Sequence, residues 1–272
     1  MIAPADYMKS PPTVREIPMS QLSPEDIANQ LLNARRNRRA WDPADTLPLA
    51  RMDDVYAVQD LVTDQLDLDI GAWKTSPLED DAAPFVAPIY ATDIYTSGVE
   101  ILASDLFVIG IEGEIAFRLN KDLPARSQPY TRDDILDAIE EMLPLIEVVE
   151  TRMNNGMGQD ASLKMADNQS NAGIVIGTGV QGWETADATT QDVHLTANGK
   201  PLHSGKSKSP ITDMFDLMAG TVNVCAARNR QIRAGDIITT GSCTGLDFVE
   251  PGSEVVLEFP GIGRVEVSFP IK

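Results

Sequence analysis

Two glutamates one residue apart, Glu112 and Glu114, interrupt an apolar run in the middle of the chain. Apolar residues extend from Leu106 to Ile111 and resume at Ile115, which predicts a buried strand. Residues two apart on a strand point to the same face, so both carboxylates would project side by side into apolar surroundings. Two ionised carboxylates are costly to bury without a positive partner, so something cationic must hold them. A divalent cation with oxygen ligands is the simplest candidate.

A third glutamate, Glu147, lies inside a second apolar run that also reads as a strand. Together with Glu112 and Glu114 it completes a plausible set of ligands for a hard metal ion. The alternative is that each glutamate faces water from an edge strand or pairs with an arginine. Gly113, between the first two glutamates, has no side chain on the opposite face and would allow another chain segment to pack closely there.

Four stretches of the sequence resemble, in the right order, the fumarylacetoacetate hydrolase superfamily. They are residues 112–124, with Glu-Gly-Glu followed by Leu-Asn-Lys-Asp-Leu-Pro, residues 143–152, residues 166–168 and residues 235–245. The branch that they resemble most is that of the 2-keto-4-pentenoate hydratases and 4-oxalocrotonate decarboxylases. The resemblance covers about residues 50 to 270, and it implies that the three glutamates bind Mg²⁺ or Mn²⁺.

The same resemblance implies further site residues. Lys74, in Gly71-Ala-Trp-Lys-Thr-Ser76, matches a motif whose lysine lies in the active site, where it would bind a carboxylate or transfer a proton. Lys164 would be a second catalytic lysine, a cation that balances the glutamates. Substrate contacts are expected from Asp167, Asn168, Thr240 and Ser242. From the residues alone, Lys74 could equally be a surface lysine at a turn and Lys164 a solvated one.

The predicted fold class is α+β, a β-rich mixed-sheet roll or barrel of the fumarylacetoacetate hydrolase type behind a small helical N-terminal part. Residues 1–70 would form an arm and helices, and residues 71–272 a catalytic domain. Helices are predicted at residues 24–39, 52–66 and 210–228, and one capped by Thr131 should run through Ile139 and Met142 and stop before Pro144. Hairpins are expected around Asn198-Gly199 and around residues 260–263.

Composition limits the possible partners. The chain has 272 residues, with 22 Lys and Arg against 41 Asp and Glu, and a net charge of -19. That charge argues against nucleic acid or an anionic membrane surface as a partner. No apolar run is long enough to span a bilayer, and Cys225 and Cys243 form no metal-binding or disulfide pattern. We expect a cytoplasmic homo-oligomer, a dimer or larger, that acts on a small 2-oxo acid.

Three hypotheses for the function follow. The first is a metal-dependent hydratase that adds water to a 2-hydroxy-dienoate or 2-oxo-enoate in the catabolism of aromatic-derived acids. The second is a decarboxylase of the 4-oxalocrotonate type or a C–C hydrolase that uses the same site. The third is a protein without catalytic activity that binds a metal ion. Residues 154–159 are rich in Asn and Gly, which indicates a mobile lid.

Overall fold

The computed structural model describes residues 22–43, 46–77 and 83–272. The predicted N-terminal arm, residues 1–22, lies outside them except for its last residue. The helices are α1 (Pro24–Asn37), α2 (Met52–Leu66), α3 (Arg132–Leu136), α4 (Ala161–Ala166) and α5 (Met214–Ala227). The first strands are β1 (Ile70–Ser76), β2 (Phe85–Tyr90), β3 (Ile94–Thr96), β4 (Val99–Glu100), β5 (Gly110–Leu119), β6 (Ile139–Val149) and β7 (Asn171–Ile176). The others are β8 (Asp192–Ala197), β9 (Lys200–Lys206), β10 (Ile237–Ser242), β11 (Asp247–Phe248), β12 (Glu254–Phe259) and β13 (Gly263–Ser268).

These strands form two mixed sheets. The larger sheet has the order β2-β1-β10-β5-β6-β7-β3, with β11 paired to one end of β5, and the smaller has the order β4-β13-β12-β8-β9. β1 pairs with β10 and β3 with β7 in parallel, whereas β5, β6 and β7 are antiparallel neighbours. The predicted α+β class, rich in strands and poor in helices, is confirmed.

The two faces of the larger sheet differ. One face packs against α5 and the smaller sheet, and contributes Trp73, Ile115, Phe117, Ile146 and Ile238 to the main core. The opposite face carries a smaller apolar cluster of Ala72, Ile89, Ala116, Leu143, Leu145, Ile174 and Ile237. Because side chains alternate along a strand, the glutamates of β5 and β6 lie on this second face, beyond the end of its apolar cluster.

Several elements lie where the sequence predicts them. α2 spans Met52–Leu66, and its buried stripe includes Val55, Val58 and Val62. β8 and β9 form the hairpin around Asn198 and Gly199, both of which have positive φ, as this turn requires. β12 and β13 form the closing hairpin. α1 begins at Pro24, as predicted, and Ser23 caps it, since Ser23 and Asp26 bond to each other's backbone.

The helix predicted after Thr131 is wrong beyond its first turns. Thr131 does cap a helix, but α3 ends at Leu136, and Ile139 begins β6. β6 pairs along almost the whole length of β5, so an extended conformation satisfies the backbone of both strands. Pro144 is tolerated inside β6 because the side of its backbone where the N–H is missing faces β7 only after that strand has ended. The Pro144 carbonyl faces the same way and accepts from the Gly177 N–H. The i, i+4, i+7 spacing of Ile135, Ile139 and Met142 imitated a helix.

Two further helix boundaries differ from the prediction. α1 ends at Asn37, so the basic cluster of residues 35–39 extends past its end. α5 begins at Met214 instead of Pro210, because the Asp213 carboxylate caps it by accepting from the backbone N–H groups of Phe215 and Asp216.

The N-terminal helices form their own apolar cluster. α1 and α2 pack on each other, and Leu31 and Val58 lie in one cluster with Phe85 of β2 and Leu163 of α4. The helices therefore rest on the edge strand of the larger sheet and on the segment between β6 and β7. The division into two domains at residue 70 stays a prediction. None of the helices in the described part of the chain is long and apolar enough to cross a membrane.

The close packing expected at Gly113 provides a test of the fold. A Cβ at this position would lie 2.5 Å from Leu257 Cδ1 and 3.0 Å from Thr244 Cγ2, on the core side of β5. We expect Gly113→Ala to lower the free energy of unfolding by about 1–3 kcal/mol, measured by urea denaturation. Leu257→Ala removes the obstructing side chain, so the double variant should lose less than the sum of the single losses. Strict additivity would contradict the packing described here.

Candidate functional site

The pairing of β5 with β6 brings the three glutamates together. Glu112 lies directly opposite Glu147, and Glu114 is two residues further along β5 on the same face. One carboxylate oxygen from each glutamate lies within 4.8 Å of the others. Glu114 and Glu147 are buried, whereas the Glu112 side chain keeps 16% of its surface exposed, so the cluster is open to solvent on the Glu112 side.

Lys74 of β1 reaches the same cluster from two strands away. Its ammonium lies 2.7 Å from Glu147 Oε1 and 3.8 Å from Glu112 Oε2. The lysine side chain is only 7% exposed. Its position is therefore inside the cluster and not at the surface, which excludes the alternative of a solvated lysine at a turn.

Electrostatics show how crowded the negative charges are. Burial raises the pKa of Glu114 well above its usual range, and the neighbouring charges of Glu147 and Glu112 raise it further. Burial also raises the pKa of Glu112, against the opposing effect of Lys74. For Lys74, burial alone would lower the pKa, but attraction to the three carboxylates outweighs it and raises the pKa above the usual lysine value. One buried ammonium does not balance three carboxylates, two of which are buried.

The donor set fits a divalent cation. Glu114 Oε1 and Glu147 Oε2 are buried and have no hydrogen-bond partner among the described residues. Three carboxylates and one ammonium leave two negative charges, which a divalent ion would neutralise. All the ligand atoms are oxygens, the donors that Mg²⁺, Mn²⁺ and Ca²⁺ prefer. The glutamates Glu112, Glu114 and Glu147 could therefore hold such an ion.

The loop at the end of β10 reaches the cluster through different groups from those expected. The Thr240 hydroxyl donates to the carbonyl of Ile115 and so faces the core. Its neighbour Thr239 has its hydroxyl beside Glu114 instead. The Gly241 N–H donates to Glu114 Oε2 at 3.1 Å, and the Ser242 hydroxyl lies beside Glu112. Ser242 is therefore at the site as predicted, whereas the hydroxyl of Thr240 is committed to the backbone.

Three other predicted site residues have partners elsewhere. The Asp167 carboxylate accepts from Arg152, and the Asn168 amide donates to the Tyr90 hydroxyl. The Lys164 ammonium, on α4, donates to the carbonyl of Met157 at 3.4 Å. No ion pair joins Lys164 to the glutamates in the described ranges. The direct roles predicted for these residues gain no support from the contacts that they make.

Arg152 forms a buried network behind the glutamates that sequence reasoning missed. Its side chain is fully buried, and it donates to the carboxylates of Glu150 and Asp167 and to the backbone carbonyls of Asp167 and Asn171. The amide of Asn171 in turn donates to Glu147 Oε1 at 2.8 Å. Arg152 thereby helps to fix the segment that orients one of the three glutamates. The available signal was an arginine two residues after Glu150, close to the end of the strand that carries Glu147.

The segment between Asp167 and β7 has an unusual backbone. Asn168, Gln169 and Ser170 have φ values of 49°, 53° and 58°, in the left-handed region, and none of them is glycine. Such residues cost on the order of 1–3 kcal/mol each and cluster at functional sites. The segment is held at its start by Asp167, whose carboxylate accepts from Arg152, and at its end by Ser170, whose carbonyl accepts from the Glu150 N–H. Its Gln169 carbonyl faces the Lys74 ammonium at 3.4 Å.

Comparison with known proteins agrees with this architecture. A family model described as the C-terminal domain of fumarylacetoacetate hydrolase matches residues 82–269, which is more than half of the chain. The chain belongs to the fumarylacetoacetate hydrolase family. The family resemblance drawn from the sequence motifs is therefore confirmed, and the three glutamates and Lys74 lie on strands of this fold.

Similar proteins belong to one branch of this family. The chain is 29% identical over 177 residues to a 2-hydroxyhexa-2,4-dienoate hydratase of Comamonas testosteroni, a match that spans 64% of each chain. It is 24% identical over 261 residues to a 2-keto-4-pentenoate hydratase of Paraburkholderia xenovorans, and here the match spans 90% of this chain and 94% of the relative.

The solved structures of the 4-oxalocrotonate decarboxylase of Pseudomonas putida G7 have the same fold. One, complexed with magnesium and adipate, has a TM-score of 0.76 at 23% identity. The match covers 92% of this chain and 99% of the decarboxylase chain. The other, complexed with calcium and acetate, has a TM-score of 0.75.

Metal binding by the glutamates can be tested without any activity assay. We expect wild-type protein to bind Mg²⁺ or Mn²⁺ in isothermal titration calorimetry, and Glu114→Gln to weaken the affinity at least about tenfold. The variant keeps the size of the side chain and removes one buried charge, so its melting temperature without metal should not fall. Glu254→Gln, at an exposed position on β12, is the matched control and should bind the metal ion normally. Equal binding by all three proteins would place the metal ion elsewhere.

The buried arginine network gives a second prediction. We expect Arg152→Met to lower the free energy of unfolding by about 3–5 kcal/mol at pH 7, since two buried carboxylates lose their cation. Burial already raises the pKa of Asp167, and Arg152 opposes this rise. Without the arginine, the pKa of Asp167 in the folded protein rises further above its value in the unfolded chain. Lowering the pH should therefore protonate Asp167 in the folded variant and reduce the loss in the free energy of unfolding. Urea denaturation at pH 7 and pH 5 measures both effects.

The control for this experiment is Arg264→Met, which removes an exposed arginine paired with exposed Glu266. Its effect should stay within about 0.5 kcal/mol. A loss for Arg152→Met no larger than that of the control, or one that grows as the pH falls, would contradict the proposed arrangement of charges.

Proposed function

We propose that this protein is a divalent-metal-dependent hydratase that adds water to a small 2-hydroxy-dienoate, such as 2-hydroxypenta-2,4-dienoate. The observation that carries the proposal is the convergence of Glu112, Glu114, Glu147 and Lys74 in one largely buried cluster. The membership of this protein in the fumarylacetoacetate hydrolase family and its similarity to two dienoate or pentenoate hydratases support the reaction class.

In this proposal, Glu112, Glu114 and Glu147 hold Mg²⁺ or Mn²⁺, which when bound would attract the substrate's oxygens and stabilise negative charge on them. The residues of the chain provide the rest of the chemistry. The carboxylates around Lys74 keep it protonated, so it is a cation close to the substrate. A bound divalent ion would compensate these carboxylates and weaken their hold on the lysine proton, which would let Lys74 act as a proton donor. The Gly241 N–H and Asn171 amide keep Glu114 and Glu147 in orientation through direct hydrogen bonds.

Water addition has a simple balance. The oxygen of water bonds to C4 of the dienoate and C5 gains a proton, while the 2-hydroxy group loses its proton and C3 gains one as the enol becomes a ketone. The product is a 4-hydroxy-2-oxo acid that contains one water molecule more than the substrate. Proton transfer to carbon is the demanding part, and a lysine fixed within the site supplies a donor for it.

A decarboxylase is the alternative that the same cluster would serve, because loss of CO₂ from the distal carboxylate of an unsaturated 2-oxo diacid such as 4-oxalocrotonate also leaves an enolate conjugated with the 2-oxo group. The solved structures of the decarboxylase from Pseudomonas putida share the fold at 22–23% identity, which does not favour that reaction over hydration. A C–C hydrolase and a metal-binding protein without activity are further alternatives. Assembly into a homo-oligomer and a cytoplasmic location remain part of the proposal.

The test is turnover of 2-hydroxypenta-2,4-dienoate and of 4-oxalocrotonate, followed by ultraviolet absorbance with Mg²⁺ or Mn²⁺ and with EDTA. We expect metal-dependent loss of the dienoate that EDTA abolishes. Lys74→Met should lower kcat by about 10²–10⁴-fold, because a positioned proton donor is lost. Calorimetry should show that this variant still binds the metal ion.

Lys164→Met is the comparison variant, since Lys164, on α4, bonds to the backbone carbonyl of Met157. Its kcat should stay within a few-fold of wild type, and a large loss would restore the catalytic role predicted for Lys164. Preferential turnover of 4-oxalocrotonate would identify a decarboxylase. No metal-dependent turnover of either acid, despite metal binding, would overturn the enzymatic proposal.

A further inference from the structure

Gln169 and Ser76 form a polar pair next to Lys74 that the proposed cluster does not use. The Gln169 side-chain amide donates to Ser76 Oγ at 2.5 Å, and the backbone carbonyl of the same glutamine faces the Lys74 ammonium at 3.4 Å. One residue therefore contacts both Lys74 and the serine two positions after it. We propose that this pair is a binding site for the hydroxyl group of the 4-hydroxy-2-oxo acid, and for the water molecule from which that hydroxyl derives.

The strand geometry places the pair at the correct side of the sheet. Lys74 and Ser76 share one face of β1, whereas Thr75 between them points into the core and bonds to Thr221. Residues two apart along a strand are separated by about 6.6 Å. A short 2-oxo acid whose carboxylate end lies at the glutamates would extend past Lys74 over a similar distance. The pair would then face the carbon chain beyond the 2-oxo group.

The unused hydrogen-bonding capacity of the pair indicates what it binds. Gln169 Oε1 is buried and has no hydrogen-bond partner among the described residues. Buried polar atoms in native proteins almost always have a partner, so an acceptor left open beside a reactive lysine points to a ligand that donates. Ser76 Oγ receives the amide proton of Gln169 and keeps its own proton, so it can donate in return.

A hydroxyl group or a water molecule matches this pattern, since each both donates and accepts. A second carboxylate does not match, because it only accepts and would lie against the oxygen of Gln169 without a cation of its own. The Lys74 ammonium, which lies beside the pair, is already paired with Glu147 and Glu112. The pair therefore suits a reaction that adds water, and it gives the proposed hydratase a feature that loss of CO₂ would not need.

The backbone at this position is built to hold the pair. Gln169 is the middle one of three consecutive residues with left-handed φ values, which turn both its carbonyl and its side chain towards β1. The segment is fastened by Asp167, whose carboxylate is bound by the buried Arg152. A long amide at a strained position supported by a buried ion pair is preorganised for binding.

The experiment compares two ligands that differ by one hydroxyl group. 4-Hydroxy-2-oxopentanoate and 2-oxopentanoate have the same carboxylate and 2-oxo group, so their interactions with the metal ion and Lys74 cancel in the comparison. Binding is measured by calorimetry with Mg²⁺ present and, as a second readout, by inhibition of dienoate turnover. We expect wild-type protein to bind the hydroxylated acid about 5- to 50-fold more tightly.

Gln169→Asn is the test variant, because asparagine tolerates the left-handed backbone but is one methylene too short to reach Ser76. It should lose the preference for the hydroxylated acid while it binds 2-oxopentanoate as wild type does, and kcat should fall more than KM rises. Ser76→Ala should reduce the preference as well. Gln181→Asn, at an exposed glutamine whose amide bonds to a backbone carbonyl, is the matched control and should keep the preference.

The inference rests on the proposed function, and the two can fail separately. Equal affinity of wild-type protein for both acids, together with metal-dependent turnover, would overturn the role of Gln169 and Ser76 and leave the hydratase standing. Unchanged preference in Gln169→Asn would do the same. If neither acid binds and neither candidate substrate is turned over, the proposed function itself fails, and this inference fails with it.

Discussion

The structure depends on one electrostatic constraint, which is that three carboxylates share a buried site with a single ammonium. Each carboxylate is brought there by its strand, because the register of β5 and β6 sets Glu112 against Glu147 and alternation adds Glu114. Lys74 crosses from β1 to reach Glu147. The single lysine compensates only part of the cost of desolvating these carboxylates, so the site needs further positive charge. A fold with no functional use for the cluster would gain stability by replacing it with apolar residues.

Arg152, behind the cluster, has all its hydrogen-bonding groups paired, whereas the glutamates within the cluster do not. Arg152 is paired with two carboxylates and two carbonyls, so that its charge and its hydrogen-bonding groups are satisfied. By contrast, Glu114 and Glu147 each keep one oxygen without a partner in the described part of the chain. The complete network of Arg152 is suited to a rigid support, whereas the incomplete one of the glutamates is suited to binding. Asn171 joins the two, since its carbonyl accepts from Arg152 and its amide donates to Glu147.

The sequence predicts the ligand set and the general fold because both follow from local patterns. Alternation within an apolar run is enough to put Glu112 and Glu114 on one face, whereas Lys74 is added only by the resemblance of residues 71–76 to a family motif. Prediction from sequence fails where the apolar residues of a strand happen to have helical spacing. Ile135, Ile139 and Met142 fit a helix, and only the pairing with β5 shows that β6 begins at Ile139. It also fails at the end of β10, where the register shift after Thr239 leaves that hydroxyl, instead of that of Thr240, beside Glu114.

Gln169 shows why part of a site is invisible in sequence patterns. A glutamine between an asparagine and a serine has no periodicity to read, and its role arises from three successive left-handed residues that no local preference demands. Those conformations persist because Asp167 and Glu150 fasten the segment at both ends, and Asp167 can do so because Arg152 neutralises it. The carbonyl of Gln169 at Lys74 and its amide at Ser76 are thus consequences of a tertiary ion pair. A regular strand or helix would turn these two groups in different directions, so the strained backbone is what lets a single residue contact two side chains of β1.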